Sequence, residues 1–444
     1  MKSRVYFIVV SVLFVSYLTP NYVFAQEVLT LESSIEIALK NSIVLGIARE
    51  GVRGATAQKR ESITGFLPKF NTSYSYTRLN EEPSFRFPGV PPLIPASDVV
   101  TGTKDNYSWK IEARQPLFTG GGLVASYQAS SIGEDVAQIE ETAKYQDVVQ
   151  DVKIAYYEIL RAQKIQETAQ QSVEMLTAHR DVADNYFKVG MIPKNDLLHA
   201  EVELANGKQT LIKAQNAVEI TKARFNTILK RKIFTPVEIV DVLNYQPFGK
   251  PLEECIDIAL QNRPELKVAT LKARQAGKLV NVARSEYFPT LSIIANYERF
   301  GDDSSVSGSA YKEAENWNVM GVASWNFWEW GKTKFRVDAS SAKENQAIGA
   351  QKELQDQIAL EIKYASLNLQ EAEKQIAVSR QVIEQAQENF RISEERFKER
   401  VATSTEVLEA QTLLTKAKSE YANALGDYNI NYAKLERAMG TIWP

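Results

Sequence analysis

The strongest constraint in the amino-acid sequence is that it repeats. The run Leu31-Glu32-Ser33-Ser34-Ile35-Glu36-Ile37-Ala38-Leu39-Lys40-Asn41 returns as Leu252-Glu253-Glu254-Cys255-Ile256-Asp257-Ile258-Ala259-Leu260-Gln261-Asn262, an offset of 221 residues. The same offset pairs Arg53 with Arg274, Pro68 with Pro289 and Tyr76 with Tyr297. From Gly121 onward the offset is 210, pairing Gly121 with Gly331, Phe187-Lys188 with Phe397-Lys398 and Leu198 with Leu408. The 11 residues of difference fall in one place, where Asn80–Lys104 is longer than its counterpart Gly301–Ala314. Two halves related by a single gap are one structural unit built twice. The first unit spans residues 26–247 and the second 248–444.

Each unit changes period in the same order. It opens with a helical pattern of about 28 residues, capped at Ser33 or its equivalent. An alternating pattern follows, over residues 66–118 in the first unit and 287–328 in the second. In the first, Phe70, Tyr74, Tyr76, Tyr107, Trp109 and Ile111 alternate with Asn71, Ser73, Ser75, Ser108, Lys110 and Glu112. In the second, Leu291, Ile293, Ala295, Val319, Ala323 and Trp325 alternate with Ser292, Asn296, Asn318 and Ser324. These are hairpins of strands about 10 to 14 residues long, apolar on one face, which is the length and alternation of a transmembrane barrel strand. A soluble sheet with one wet face has the same alternation.

Long proline-free helical stretches come next, residues 123–187 and 333–397, with apolar residues at alternating spacings of four and three. Ile358, Ile362, Ala365, Leu369, Ala372 and Ile376 are such a run, and a sustained seven-residue repeat predicts left-handed coiled-coil packing. About 65 residues at 1.5 Å each make a rod of roughly 100 Å. A turn and a returning helix follow, residues 195–230 and 404–439, the second opening on the capping-box spacing Thr403-Ser404-Thr405-Glu406. Returning helix plus opening helix match the long rod in length, so two short helices stacked end to end can flank one long one. Residues 231–249 remain as an insertion at mid-rod, and the chain as given ends at Pro444 without a further segment.

Composition narrows the function. In 444 residues, 52 Lys and Arg against 55 Asp and Glu give a formal charge of −3, too balanced for a nucleic-acid binder working by bulk charge. One Cys and two His leave no thiolate or imidazole metal cluster, and neither a catalytic centre nor a cofactor is expected. Cys255 falls on the apolar stripe of an opening helix and should be buried; His179 and His199, on opposite arms of one hairpin, are expected at the surface. Charge runs on these helices read as solvated faces rather than active sites. At the N-terminus, Lys2 and Arg4 precede an apolar run from Val5 to Leu18, and Val23-Phe24-Ala25 precedes Gln26. That is the pattern of a secretory signal peptide over residues 1–25, with no lipid-accepting Cys after the cut. With no later apolar run of about 18 residues, a membrane-spanning form of this chain must span by strands.

Four strands cannot close a barrel, and an open edge cannot face lipid, so the chain must oligomerise through its strands. Two copies make eight strands with a filled interior; three make twelve, wide enough for a water-filled lumen. In this order of elements the chain resembles the TolC-like outer membrane efflux protein family. The resemblance also rests on the run from Thr405-Glu406-Val407-Leu408-Glu409-Ala410 to Ala417, on Ala438-Met439-Gly440-Thr441, and on Val189-Gly190 followed by Asn195-Asp196-Leu197-Leu198. It implies an all-α coiled-coil tunnel plus a transmembrane β-barrel, four strands per protomer and twelve in a homotrimer. It further implies an outer-membrane exit duct with its tunnel in the periplasm, joined by a periplasmic adaptor to an inner-membrane pump. The same fold serves type I protein secretion, and a non-conducting structural or adhesive envelope protein is the rival from another class.

Three groups of residues carry these expectations. Tyr74, Tyr76, Trp109, Leu291, Ile293 and Trp325 occupy the apolar strand faces and should meet outer-membrane lipid. Val189, Gly190, Met191, Val401 and Ala402 form the free ends of the coiled coils, where a helical-hairpin adaptor can continue the packing. Arg400 stands where the resembling family often has Gly. Asp196, Glu406 and Glu409 follow the tips, and the resemblance implies an acidic constriction at the periplasmic entrance; the helix macrodipole, which favours carboxylates in a first turn, is the competing explanation.

Overall fold

The computed structural model describes residues 28–442; the signal peptide expected over residues 1–25 lies outside them. The first unit runs β1 (Val28–Leu29), α1 (Leu31–Asn41), α2 (Ile43–Thr64), β2 (Lys69–Arg78), β3 (Ser84–Phe87), β4 (Ser97–Val100), β5 (Asp105–Thr119), α3 (Gly122–Lys188) and α4 (Lys194–Ile228). After β6 (Glu238–Ile239), the second runs α5 (Leu252–Asn262), α6 (Pro264–Arg284), β7 (Thr290–Gly301), β8 (Glu315–Ser324), α7 (Lys332–Lys398) and α8 (Ser404–Ala438). The extra residues of the first unit form the small hairpin β3–β4. Among the described residues no helix is long and apolar enough to cross a membrane.

The opening helix is broken in both units, where the apolar periodicity suggests one continuous helix. Ser42 (ψ 116°) and its repeat partner Arg263 (ψ 121°) are extended. Arg263 precedes Pro264, whose ring disfavours helical backbone in the residue before it. Ser42 instead restarts the helix, its hydroxyl accepting from Leu45 N at 3.2 Å. The cap of α1 is Thr30, not Ser33. Ser33 is its partner in the capping box: the Thr30 hydroxyl accepts from Ser33 N, and the Ser33 hydroxyl accepts from Thr30 N.

The break lets short helices stack end to end beside a long one. α3 and α7 have 67 residues each, about 100 Å of rod. The end of α4 meets α1 over the middle of α3, where Ala38, Val152, Ala155, Tyr156, Ile159, Phe225 and Leu229 are buried together. Asn41 Nδ2 donates to the Leu229 carbonyl at 3.4 Å, satisfying a helix-end acceptor. α5, α7 and α8 repeat this with Cys255, Ala259, Ile358, Ile362, Leu369, Tyr428 and Leu435. Fully burying one such aliphatic or aromatic side chain stabilises the fold by about 1.5–3 kcal/mol, so the two clusters anchor the rods at mid-length. Residues 231–249 cross the molecule at this level. β6 pairs in parallel with β1, the Tyr156 hydroxyl lies 2.7 Å from the Val240 carbonyl, and Tyr245 packs on Tyr428.

All four long strands form one antiparallel sheet in the order β2-β5-β7-β8, which leaves β2 and β8 as unpaired edges. Directly paired residues share a face. The register puts Tyr74 beside Trp109, Ile111 beside Tyr297, and Ile293 beside Gly321. The other face carries Lys110, Glu112, Arg114, Asn296, Glu298 and Asn318, tied by contacts such as Ser108–Glu298 at 3.1 Å and Asn296–Asn318 at 3.0 Å. The strands begin at Lys69 and Thr290, and β8 stops at Ser324, short of residue 328. Pro68 and Pro289 have no N–H for a ladder. Beyond Ser324 the Trp325 indole donates to the Tyr287 carbonyl at 3.1 Å, and the chain leaves the sheet.

Candidate functional site

The two tips are built alike from unlike residues. Gly190 has φ 73° and Arg400 φ 66°, both left-handed. Each follows a long helix and closes it in a Schellman motif: Met191 N donates to the Tyr186 carbonyl at 2.8 Å, and Val401 N to the Arg396 carbonyl at 2.9 Å. Glycine adopts this conformation without penalty, whereas a residue with a Cβ is disfavoured there by roughly 1–2 kcal/mol. Arg400 therefore keeps the turn that Gly190 makes, at some cost. Val189, Gly190, Met191 and Val401 are exposed and Ala402 is half-buried. Small apolar clusters behind the tips, Ala183 with Leu197 and Ala200, and Ala386 with Leu414 and Ala417, hold each helical hairpin shut.

The acidic residues part company. Glu406 is the third residue of α8 and completes a capping box with Thr403; its carboxylate also lies 3.4 Å from Arg396 Nη1. It is thus engaged in helix capping and an ion pair. Glu409, one turn on, is exposed and makes no ion pair among the described residues. Asp196 is half-buried in the first turn of α4, whose N-cap Pro193 offers no side-chain acceptor. α4 and α8 converge on α3 through Leu176, Leu204 and Leu408, so both acidic turns lie at the same end of the rods.

His179 is buried, contrary to the expectation of a surface position. Its Nε2 lies 2.8 Å from the Ser404 hydroxyl and its ring 5.1 Å from that of Phe397, so it joins α3, α7 and α8 just behind the tip. Burial pushes its imidazole below the ordinary His value, opposed by Glu394. The buried stripe of α3 runs Ala169, Ser172, Leu176, His179, Ala183. An apolar register through Val173 passes over the two polar members, and a heptad step from Ser172 to His179 was the signal available. His199 is exposed and Cys255 is buried.

On the sheet, Tyr74, Tyr76, Trp109, Leu291 and Ile293 all share the apolar face, with Trp325 one residue beyond β8. Their polar tips find partners at the periphery: Trp109 Nε1 donates to Thr72 Oγ1 at 3.0 Å, and the Tyr76 hydroxyl to Asp105 at 2.8 Å. Apolar bodies with satisfied polar tips suit a membrane interface.

The family model for outer membrane efflux proteins matches residues 34–229 and again 255–441. The chain belongs to the outer membrane efflux protein family. Its two matched stretches fall on the two repeat units. Among curated relatives, the outer membrane protein TolC of Escherichia coli (strain K12) is 24% identical over 339 residues, covering 72% of this chain and 67% of TolC. Protein CyaE of Bordetella pertussis is 25% identical over 207 residues, 46% of this chain and 44% of CyaE. The chain thus spans about two thirds of the first relative and under half of the second. The solved CmeC outer membrane channel of Campylobacter jejuni has the same fold, with TM-score 0.77, 20% identity, and coverage of 92% of this chain and 85% of that one.

Proposed function

We propose that three copies of this efflux-family chain close into a passive exit duct, a twelve-stranded outer-membrane barrel on a helical tunnel in the periplasm. One observation carries the reading. Inside the chain the two repeats join by β5 on β7, and by α3 on α6 and α8. The repeat offsets turn these contacts into β8 on β2, and α7 on α2 and α4, surfaces that are open in a single copy. Their residues match. Thr168 and Ser172 are buried at the internal seam, while their counterparts Val378 and Val382 are exposed, Val378 by 61%. Leu408 and Ile430 are buried, while Leu198 and Ile220 are exposed, Ile220 by 68%. The internal bond of Lys418 to Gln171 at 3.0 Å has the matching pair Lys208 and Gln381.

Ring closure through these surfaces pairs every strand edge, as lipid requires. Three copies leave a lumen lined by the polar sheet face, and the aromatic face meets lipid. Nothing here needs a cofactor, and transport is powered by an inner-membrane pump reached through an adaptor at the tips. Glu409 and Asp196, repeated by symmetry, make the tip end cation-selective. Two measurements test the reading. The purified assembly in planar bilayers should give unitary, cation-selective conductance; its absence leaves a structural or adhesive protein. Photocrosslinkers at Val189, Met191, Val401 and Ala402 should capture a periplasmic adaptor, whereas capture only from barrel-proximal sites would count against docking at the tips.

A further inference from the structure

By the repeat offset of 210, Lys434 on α8 stands where Arg224 stands on α4, and Asn368 on α7 where Glu158 stands on α3. In the first repeat these two side chains join: Arg224 Nη1 donates to both Glu158 oxygens, at 2.8 and 3.2 Å. The second repeat keeps the cation and loses its carboxylate. Lys434 is exposed and makes no ion pair among the described residues. One turn on, Arg437 replaces Thr227 and is 8% exposed. Its Nε and Nη2 bind Asp147 and Glu265, while Nη1 is buried without a partner among the described residues. A buried donor left unmade is costly and calls for an acceptor. Both residues line a groove of about 460 Å³ with Asn368, Asn431 and the apolar Ile154 and Ala438. That volume suits a small organic molecule.

The groove is not part of the open seam. α8 is flanked by α3 on one side and α7 on the other, whereas ring closure adds the next copy's α2 and α4 beyond α7. It is also turned away from residues 231–249. Tyr428 and Asn429 of α8 donate to the carbonyls of Gln246 and Asn244, and Lys434 projects from the far side, roughly 120–140° around the helix. In the proposed duct, on which this inference rests for its setting, that side faces the water-filled tunnel. Arg263 and Arg437 are already matched by Glu361, Glu265 and Asp147. One negative charge, opposite Lys434, is what the groove lacks. We propose that it binds an amphipathic monocarboxylate, one per copy. The carboxylate takes the place that Glu158 fills in the first repeat, meeting Lys434 Nζ and Arg437 Nη1, and the apolar body lies against Ile154 and Ala438.

The test titrates the full-length assembly in detergent with 2-naphthoate by calorimetry, beside the neutral 2-naphthamide. Naphthoate should bind at one equivalent per copy, and naphthamide about tenfold or more weaker. Lys434→Gln should weaken naphthoate about tenfold, and Lys434→Arg should keep it. Asn368→Glu, which restores the acid of the first repeat, should abolish the preference for naphthoate. Both positions are exposed, so the variants should fold, as circular dichroism will show. Absence of naphthoate binding, equal affinity for the two probes, or full naphthoate affinity in Lys434→Gln overturns the site and leaves Arg437 Nη1 to water. Since α3, α7 and α8 belong to one chain, single copies made with Val378→Arg should bind as the assembly does. Binding without conductance is then failure of the duct and not of the site.

Discussion

Two polar side chains near the tips have roles that residue type alone does not reveal. Burial against Ser404 and Phe397 favours the neutral form of His179. Above about pH 7 it is neutral in the folded and unfolded chain alike. As pH falls through the ordinary His range the unfolded chain takes the proton first, and stability is lost down to the depressed folded value. His179→Asn, the residue the repeat carries at Asn389, should flatten the fall in thermal midpoint between about pH 7 and pH 5. Unchanged slopes would assign that fall to other groups. Glu406 and Glu409 divide similarly. Glu406→Gln preserves a capping box and should leave conductance and stability nearly intact. Glu409→Gln should reduce cation selectivity and raise the concentration of trivalent cation needed for block. Equal effects of the two would mean that capping does not account for Glu406.

Among the elements, the sheet is where a single register step decides function. Ile293 and Ser292 are neighbours on β7, yet one shares a face with Ala295 and Tyr297 and the other with Ile294 and Asn296. Ile293→Arg should cost about 2–4 kcal/mol near mid-bilayer and block assembly, whereas Ser292→Arg, on the lumen side of the proposed barrel, should be tolerated. Heat-modifiable gel mobility of the two variants reports this directly, and equal behaviour would invert the face assignment. The alternation from Phe70 to Tyr76 made these faces legible in advance. The strand ends were less legible. Trp325 and Phe327 continue the alternation in sequence, but the Trp325 indole finds its partner at Tyr287 and the backbone turns out of the sheet. The break at Ser42 was less legible because apolar periodicity runs through it, although the Ser42 cap and, in the repeat, Pro264 mark it locally, where the end of α4 arrives.

At the scale of the whole molecule, the two seams of the proposed ring differ in chemistry. The internal seam is rich in ions: Lys153–Glu436 at 2.7 Å, Arg161–Asp427 at 2.6 Å, and Arg437 held between Asp147 and Glu265. The repeat positions of Asp427 and Asp147 are Ala217 and Gln357, and Val378 and Ile220 are exposed on the same open surfaces. In the proposed ring, association of copies is therefore driven by apolar burial, worth about 25 cal/mol per Å². Val378→Arg should yield single copies with wild-type helix content by circular dichroism. A stable ring in that variant would remove α7 from the interface.

Sequence alone determined the duplication, the order of elements, the polar and apolar strand faces and the two tips, because each is written in local periodicity or in a turn residue such as Gly190 or Pro193. Tertiary structure decided what depends on partners far apart in the chain. His179 became a buried link only because α8 begins beside it, and Tyr156 became a bridge only because Leu29 and Val240 are brought to its hydroxyl. A side chain's solvation and hydrogen-bond partners are set by elements hundreds of residues away, and no local pattern of apolar and polar residues encodes them.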